Sequence, residues 1–281
     1  MNNKIYPSLW FDNNGKEVAE FYIDVFKEGK INKDTAVVVD FELMGERFVG
    51  INGGPMFKMN PSISFFVTFD SEEAINEAWK RLIDGGLALM PFNKYPWADK
   101  YGWLQDKYGA SWQLSMSENH QFTQKITPTI MFGGAKAGQA KQAMDLYCDI
   151  FPNSKINLAL NYGEGEGDKP ELIKHAQFVL DGFNMMAMDS SVPHAFDFNE
   201  AVSFIVDCDD QKEVDYYWDK FISSGGTESQ CGWLKDKFGV SWQIVPKALP
   251  EALNNPDPVK AKFAMEAMLK MTKIEISKLK E

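Results

Sequence analysis

Apolar positions recur along the chain in two rhythms. Val18, Phe21, Tyr22, Val25 and Phe26 fall at i, i+3, i+4, i+7 and i+8, the stripe of a helix with one buried face. Ala143, Leu146, Tyr147, Ile150 and Phe151 repeat it. Two further copies are Ile75, Ala78, Trp79, Leu82 and Ile83, opened by Asp70-Ser71 and stopped by Gly85-Gly86, and Val214, Tyr217, Trp218, Phe221 and Ile222, stopped by Gly225-Gly226. A short apolar run precedes each helix, at 5–11, 63–69, 126–132 and 202–206, and β-rich runs such as 35–43 and 47–52 follow. Strand, helix, then strands, four times, predicts an α+β fold. Each curved antiparallel sheet carries its helices on one face and leaves a concave face free.

The chain also repeats on a longer scale. GWLQDKYGASWQL at 102–114 returns 130 residues later as GWLKDKFGVSWQI at 232–244, residues 5–11 match 126–132, and Ser64-Phe65 match Ser203-Phe204. This is a tandem duplication. It divides the chain into a first domain at 1–116, a polar linker at 117–125, a second domain at 126–250 and a tail at 251–281. In the tail Asp257 precedes Pro258 as a cap before proline, and Phe263, Ala267, Met271 and Ile274 follow at helical spacing, so a docked helix is expected.

Composition narrows the chemistry. The 281 residues hold 29 Lys and Arg against 40 Asp and Glu, a net charge of −11. Arg47 and Arg81 are the only arginines, and His120, His175 and His194 the only histidines. A chain without basic clusters or guanidinium forks has little to hold a nucleic-acid backbone, so no nucleic-acid partner is expected. Three scattered histidines cannot build several His-rich metal sites. The longest charge-free run, 59–69, falls well short of the roughly 18 residues that span a bilayer, and residues 1–11 lack a secretory pattern. The expectation is a cytoplasmic protein with no membrane partner.

Other features read as structure. Cys148, Cys208 and Cys231 form an odd, unpaired set of reduced thiols, of which Cys231, beside Gly232 in a turn, is the reactive candidate. Asp106-Lys107-Tyr108-Gly109 and Asp236-Lys237-Phe238-Gly239 have the chemistry of tight hairpins. Met185, Met186 and Met188 read as core filling. The loop 163–167, GEGEG, carries two glutamates that repel phosphate and reads as an acidic hairpin loop. His175 and His194 show no partner for general-base chemistry.

The run 229–246, SQCGWLKDKFGVSWQIVP, together with FPNSKI at 151–156 and AMLKMTKI at 267–274, resembles the PhnB-like branch of the vicinal oxygen chelate superfamily, relatives of glyoxalase I and bleomycin-resistance proteins. The resemblance covers 126–281 closely and 1–116 more loosely. It implies two tandem glyoxalase-like domains of paired βαβββ modules. Metal-using relatives take ligands from the first and last strands of each module. Carried over by resemblance, the first-strand positions are Pro7, Ser64, Pro128 and Ser203, and the last-strand positions are Asn52, Gln113, Asp189 and Gln243. Proline has no donor and serine is a poor ligand, so neither a metal nor another cofactor is expected.

What remains is a pair of concave faces lined by amides and hydroxyls. Alternation puts Ser111, Gln113 and Ser115 on one face of their strand and Trp112 and Leu114 on the other. If Gln113 points into the cavity, Ser241 and Gln243 do so in the second repeat, with Pro7 and Leu9, or Pro128 and Ile130, facing across and Trp103 and Trp233 at the edge. Such a lining suits a small, neutral or weakly polar organic ligand. Three alternatives stay open: Gln113 and Gln243 satisfied by backbone, a glyoxalase- or dioxygenase-type metalloenzyme using Gln113 or Gln243 with Asp189, and an interaction protein with filled cavities. Some relatives are labelled demethylubiquinone methyltransferases. No glycine-rich turn for S-adenosylmethionine and no doubly wound alternation supports that label here. The repeats are expected to pair as an intramolecular pseudo-dimer, with a further homodimer open.

Overall fold

The computed structural model describes residues 3–116 and 124–280. Four βαβββ modules follow one another. The first is β1 (Ile5–Phe11), α1 (Gly15–Phe26), β2 (Gly29–Asp34), β3 (Val38–Leu43) and β4 (Glu46–Asn52). The second is β5 (Ile63–Thr68), α2 (Glu72–Leu82), β6 (Leu87–Tyr95), β7 (Ala98–Gln105) and β8 (Ser111–Met116). The third is β9 (Ile126–Gly133), α3 (Ala140–Ile150), β10 (Lys155–Asn161), β11 (Ile173–Leu180) and β12 (Phe183–Ser190). The fourth is β13 (Val202–Cys208), α4 (Gln211–Ser223), β14 (Thr227–Glu228), β15 (Trp233–Lys235) and β16 (Ser241–Pro246). The caps follow from the sequence: Ser71 accepts from the Ala74 amide to open α2, and Asp210 from the Glu213 amide to open α4.

The modules pair across the two repeats. Sheet A runs β14-β15-β16-β13-β1-β4-β3-β2 and sheet B runs β10-β11-β12-β9-β5-β8-β7-β6. Antiparallel seams join them, with Ser8 opposite Ser203 in sheet A and Ser64 opposite Thr129 in sheet B. Neither sheet belongs to one repeat. A single core cluster unites residues of both sheets with those of α1 to α4, around the fully buried Trp112, Trp242, Tyr22 and Tyr147.

The two predicted hairpins form, with Gly109 at φ 92° and Gly239 at φ 94°. Their aspartates do more than turn the chain. Asp106 accepts from Tyr22 Oη (2.8 Å), Trp112 Nε1 (2.8 Å) and the amides of Tyr108 and Ala110. Asp236 repeats this with Tyr147 Oη (2.6 Å), Trp242 Nε1 (3.0 Å) and the amides of Phe238 and Val240. Each buried carboxylate thus pins a helix of one module to the last hairpin of the next.

The tail holds α5 (Ala248–Leu253), which crosses the expected boundary at 250, and α6 (Pro258–Met268), capped by Asp257. The helix stops sooner than the spacing predicts. The Met271 and Thr272 carbonyls accept from the Cys231 and Gly232 amides instead of continuing it. Met271 and Ile274 still pack with Leu249 and Leu279. The expected linker falls largely on 117–123, outside the described residues. At its end Gln124 is buried and bonds the Ile126 carbonyl and both backbone groups of Asn184. Among the described residues no helix is long and apolar enough to cross a membrane.

Candidate functional site

Strand alternation gives each sheet a second face, turned away from the helices. On β1 the core takes Ile5, Leu9 and Phe11, so Tyr6 and Ser8 point the other way. Register carries that face across both sheets. In sheet B, Gln113 Nε2 donates to Ser64 Oγ (2.8 Å), Tyr101 Oη donates to Gln113 Oε1 (2.8 Å), and Trp103 Nε1 donates to Ser111 Oγ (2.8 Å). In sheet A, Gln243 Nε2 donates to Ser203 Oγ (2.9 Å), and Trp233, opposite Gln243, meets Trp10 edge to face at 6.3 Å. Both amides therefore bond side chains rather than backbone.

Beside each amide–serine pair lies a hydroxyl that sequence reasoning missed. Thr129 faces Ser64, and Ser8 faces Ser203. Both residues are buried, 4% and 1% exposed, and neither side-chain oxygen has a hydrogen-bond partner. Gln177 Oε1 is also unpartnered on sheet B, where β11 lies beside β12. Buried polar atoms are ordinarily paired, because an unpaired one costs about 1–3 kcal/mol. Each hydroxyl offers one donor and two acceptor sites.

Four expected lining residues face the helices instead. Pro7 lies opposite Phe204 and Pro128 opposite Phe65, both core rings, and Leu9 and Ile130 join the same core. The expected position is off by one residue, which in a strand exchanges the faces. Asn52 Oδ1 accepts from the Gly15 amide at the start of α1. Asp189 accepts from the Gly138, Ala140 and Ile173 amides at the start of α3 and β11. Their carboxamide and carboxylate oxygens are occupied by backbone. Met186 reverses in the other sense: Met185 is core, whereas Met186 and Met188 share the face of Thr129.

The groups on these faces near the seams are hydroxyls and amides, a donor set that does not fit the divalent metal of metal-using relatives. Among the described residues no three His, Cys, Asp or Glu side chains are grouped to hold a metal ion. His175 contacts Gln177 Nε2 at 3.0 Å, and burial pushes its pKa down, which keeps it neutral. His194 pairs with Ser190 Oγ at 3.0 Å. Both partners are local, Gln177 two residues from His175 and Ser190 four residues from His194. Burial pushes the thiols of Cys148, Cys208 and Cys231 up, opposite to the shift that activates a nucleophile.

Two larger hollows, of about 620 Å³ between α4 and residues 270–278 and about 600 Å³ beside Trp10 and Tyr108, lie off these faces. In the first, Trp218 pairs with Glu228 and Lys273 with Asp215. At the β4 end of sheet A, Glu46 lines a smaller hollow with Tyr6, Arg47 and Phe183, and burial raises its pKa from 4.5 to about 7. The folded state thus favours the protonated acid. Its contribution is complete below the unfolded value and is lost as pH rises through about 7. Glu46→Gln is expected to leave the melting temperature unchanged at pH 4 and to raise it at pH 8, measured by paired thermal melts; equal shifts at both values would contradict this.

A family model described as 3-demethylubiquinone-9 3-methyltransferase matches residues 3–115 and again 124–245. The chain belongs to the PhnB-like family. The double match follows the duplication. A PhnB protein of Bacillus cereus, described as a putative 3-demethylubiquinone-9 3-methyltransferase, is similar at 32% identity, covering 41% of this chain and 100% of that one, with a TM-score of 0.38. A glyoxalase I mutant of Zea mays is similar over 86% of this chain and 92% of its own, at 11% identity and a TM-score of 0.59. That likeness gives this PhnB-like chain a two-domain glyoxalase-like fold. A putative dioxygenase of Bacillus subtilis is similar at 12% identity over 97% of this chain and 91% of its own, with a TM-score of 0.48. No curated protein matches the chain.

Proposed function

We propose that this PhnB-like protein binds a small organic molecule, without a metal, on the faces turned away from its helices. The observation that carries the reading is the buried, unpartnered hydroxyl beside each glutamine–serine pair, Thr129 in sheet B and Ser8 in sheet A. A molecule with one or two polar atoms would satisfy what the fold leaves unpaired. The family description names a methyl transfer, but no glycine-rich strand-to-helix turn of the doubly wound kind is present in the sequence, so we assign binding rather than transfer. A metalloenzyme using Asp189 is disfavoured because that carboxylate already accepts three backbone amides.

Native mass spectrometry of protein purified from cells tests the reading. The expected spectrum shows a non-covalent adduct of small-molecule mass that is released on denaturation. The adduct is absent from a Gln113→Ala, Gln243→Ala variant with wild-type circular dichroism. A bare wild-type mass under gentle ionisation would contradict it.

A further inference from the structure

We infer that the two faces are not equivalent and that the face of sheet B takes the ligand, a neutral, flat aromatic molecule bearing one hydroxyl or amide; this rests on the binding reading above. The contrast appears when the four central strands of each sheet are compared at matching register positions. In sheet A, Tyr6, Val49 and Ile205 form an apolar cluster with Val38, Ile51 and Val245. The Arg47 guanidinium lies 4.0 Å over the Tyr6 ring and bonds Asp40 (2.7 Å) and Asp207 (3.2 Å), while Tyr6 Oη donates to Asp207 (2.7 Å). Val245 also packs with Leu249, Met271, Ile274 and Leu279, so the tail continues the cover. Side chains of the protein itself fill this face, and its charges are paired. Ser8 lies between Tyr6 and Trp10 along β1.

Among the described residues sheet B has none of these closing groups. Thr127 stands where sheet A has Tyr6, Asn184 where it has Arg47, Thr68 where it has Asp207 and Ser115 where it has Val245. Across β5, β8, β9 and β12 the face carries no ionisable acid or base, and His175, beside Gln177 on β11, is held neutral by burial. An ionised ligand would lose its hydration there without compensation. Phe66 and Met186 replace the aliphatic Ile205 and Val49. Tyr101, Met131 and Met186 are buried without joining the helix-side core. The Phe66 and Tyr101 rings lie 6.3 Å apart, and Tyr101 meets Trp97 at 6.1 Å; Trp97 is 60% exposed. Aromatic rings thus run from solvent to the seam, and rings with thioethers make a bed for a flat π-system. At its inner end wait two unpartnered atoms, Thr129 Oγ1 and Gln177 Oε1.

The test uses the full chain and two probes that share a ring system, 2-naphthol and naphthalene-2-sulfonate, titrated calorimetrically. The expected result is one site per chain for 2-naphthol and none for the sulfonate. Thr129→Val, which keeps the shape and removes the hydroxyl, should weaken 2-naphthol about five- to tenfold, the loss of one hydrogen bond. Ser8→Val is the matching change in sheet A. Thr129→Ser, which keeps the hydroxyl, should restore wild-type affinity and guards against a packing effect. Binding lost in Ser8→Val and kept in Thr129→Val would overturn the choice of face while leaving the binding reading intact. Equal binding of the sulfonate would overturn the neutral class. Failure of both probes to bind, in a chain that still carries an adduct in native spectra, would overturn the ligand class alone; failure of both with no adduct would overturn both readings.

Discussion

Asp236→Ala is expected to cost about 4 kcal/mol or more and to leave the protein largely unfolded at temperatures the wild type tolerates. The carboxylate is 4% exposed and accepts from Tyr147 Oη, Trp242 Nε1 and the amides of Phe238 and Val240. Alanine leaves four donors without a partner in a place water does not reach, each worth about 1–3 kcal/mol when orphaned. It also opens a cavity beneath Trp242, which packs on Phe204 and Phe221. Asp236→Asn is expected to fall between, because one of its two polar atoms becomes a donor facing donors. Tyr147→Phe deletes a single bond and should cost about 1–2 kcal/mol. Urea unfolding followed by tryptophan fluorescence measures all three. A change below about 1 kcal/mol for Asp236→Ala would show that the carboxylate merely shapes the turn.

That network marks how far the sequence could be read. Asp106 and Asp236 were legible as turn residues because aspartate two residues before an amide, and glycine three later, is local chemistry. Their tyrosine partners sit 84 and 89 residues away on helices of another module, and nothing local announces them. The four helices were legible because the same 3.6-residue stripe occurs four times. Gln113 and Gln243 fall on the face away from the helices because Ser-Trp-Gln alternates. Pro7 and Pro128 were misplaced for the converse reason. Residues 5–11 are buried or nearly so on both faces, so the run has no alternation that fixes which residues face the helices. Thr129 and Ser8 escaped notice through that same one-residue ambiguity. Closure of sheet A depends on Arg47 meeting Asp207, 160 residues on, which requires the pairing of modules across repeats.

The same pairing leads to the second large effect. Each candidate face is built by both repeats: Gln113 and Ser64 come from the first and Thr129 from the second, while Ser8 comes from the first and Gln243 and Ser203 from the second. A chain cut between 116 and 124 should therefore give halves that do not stand alone. Each would expose the seam edges of β1 and β5, or of β9 and β13, with their hydrogen bonds unmade. In the intact chain the linker holds these edges at high effective concentration. Light scattering coupled to size exclusion, on halves 1–116 and 124–281 produced separately and then mixed, tests whether the site belongs to the two repeats jointly. The predicted result is self-association or aggregation of each half alone and a one-to-one complex on mixing. A stable monomer of either half, unchanged when the other is added, would contradict it.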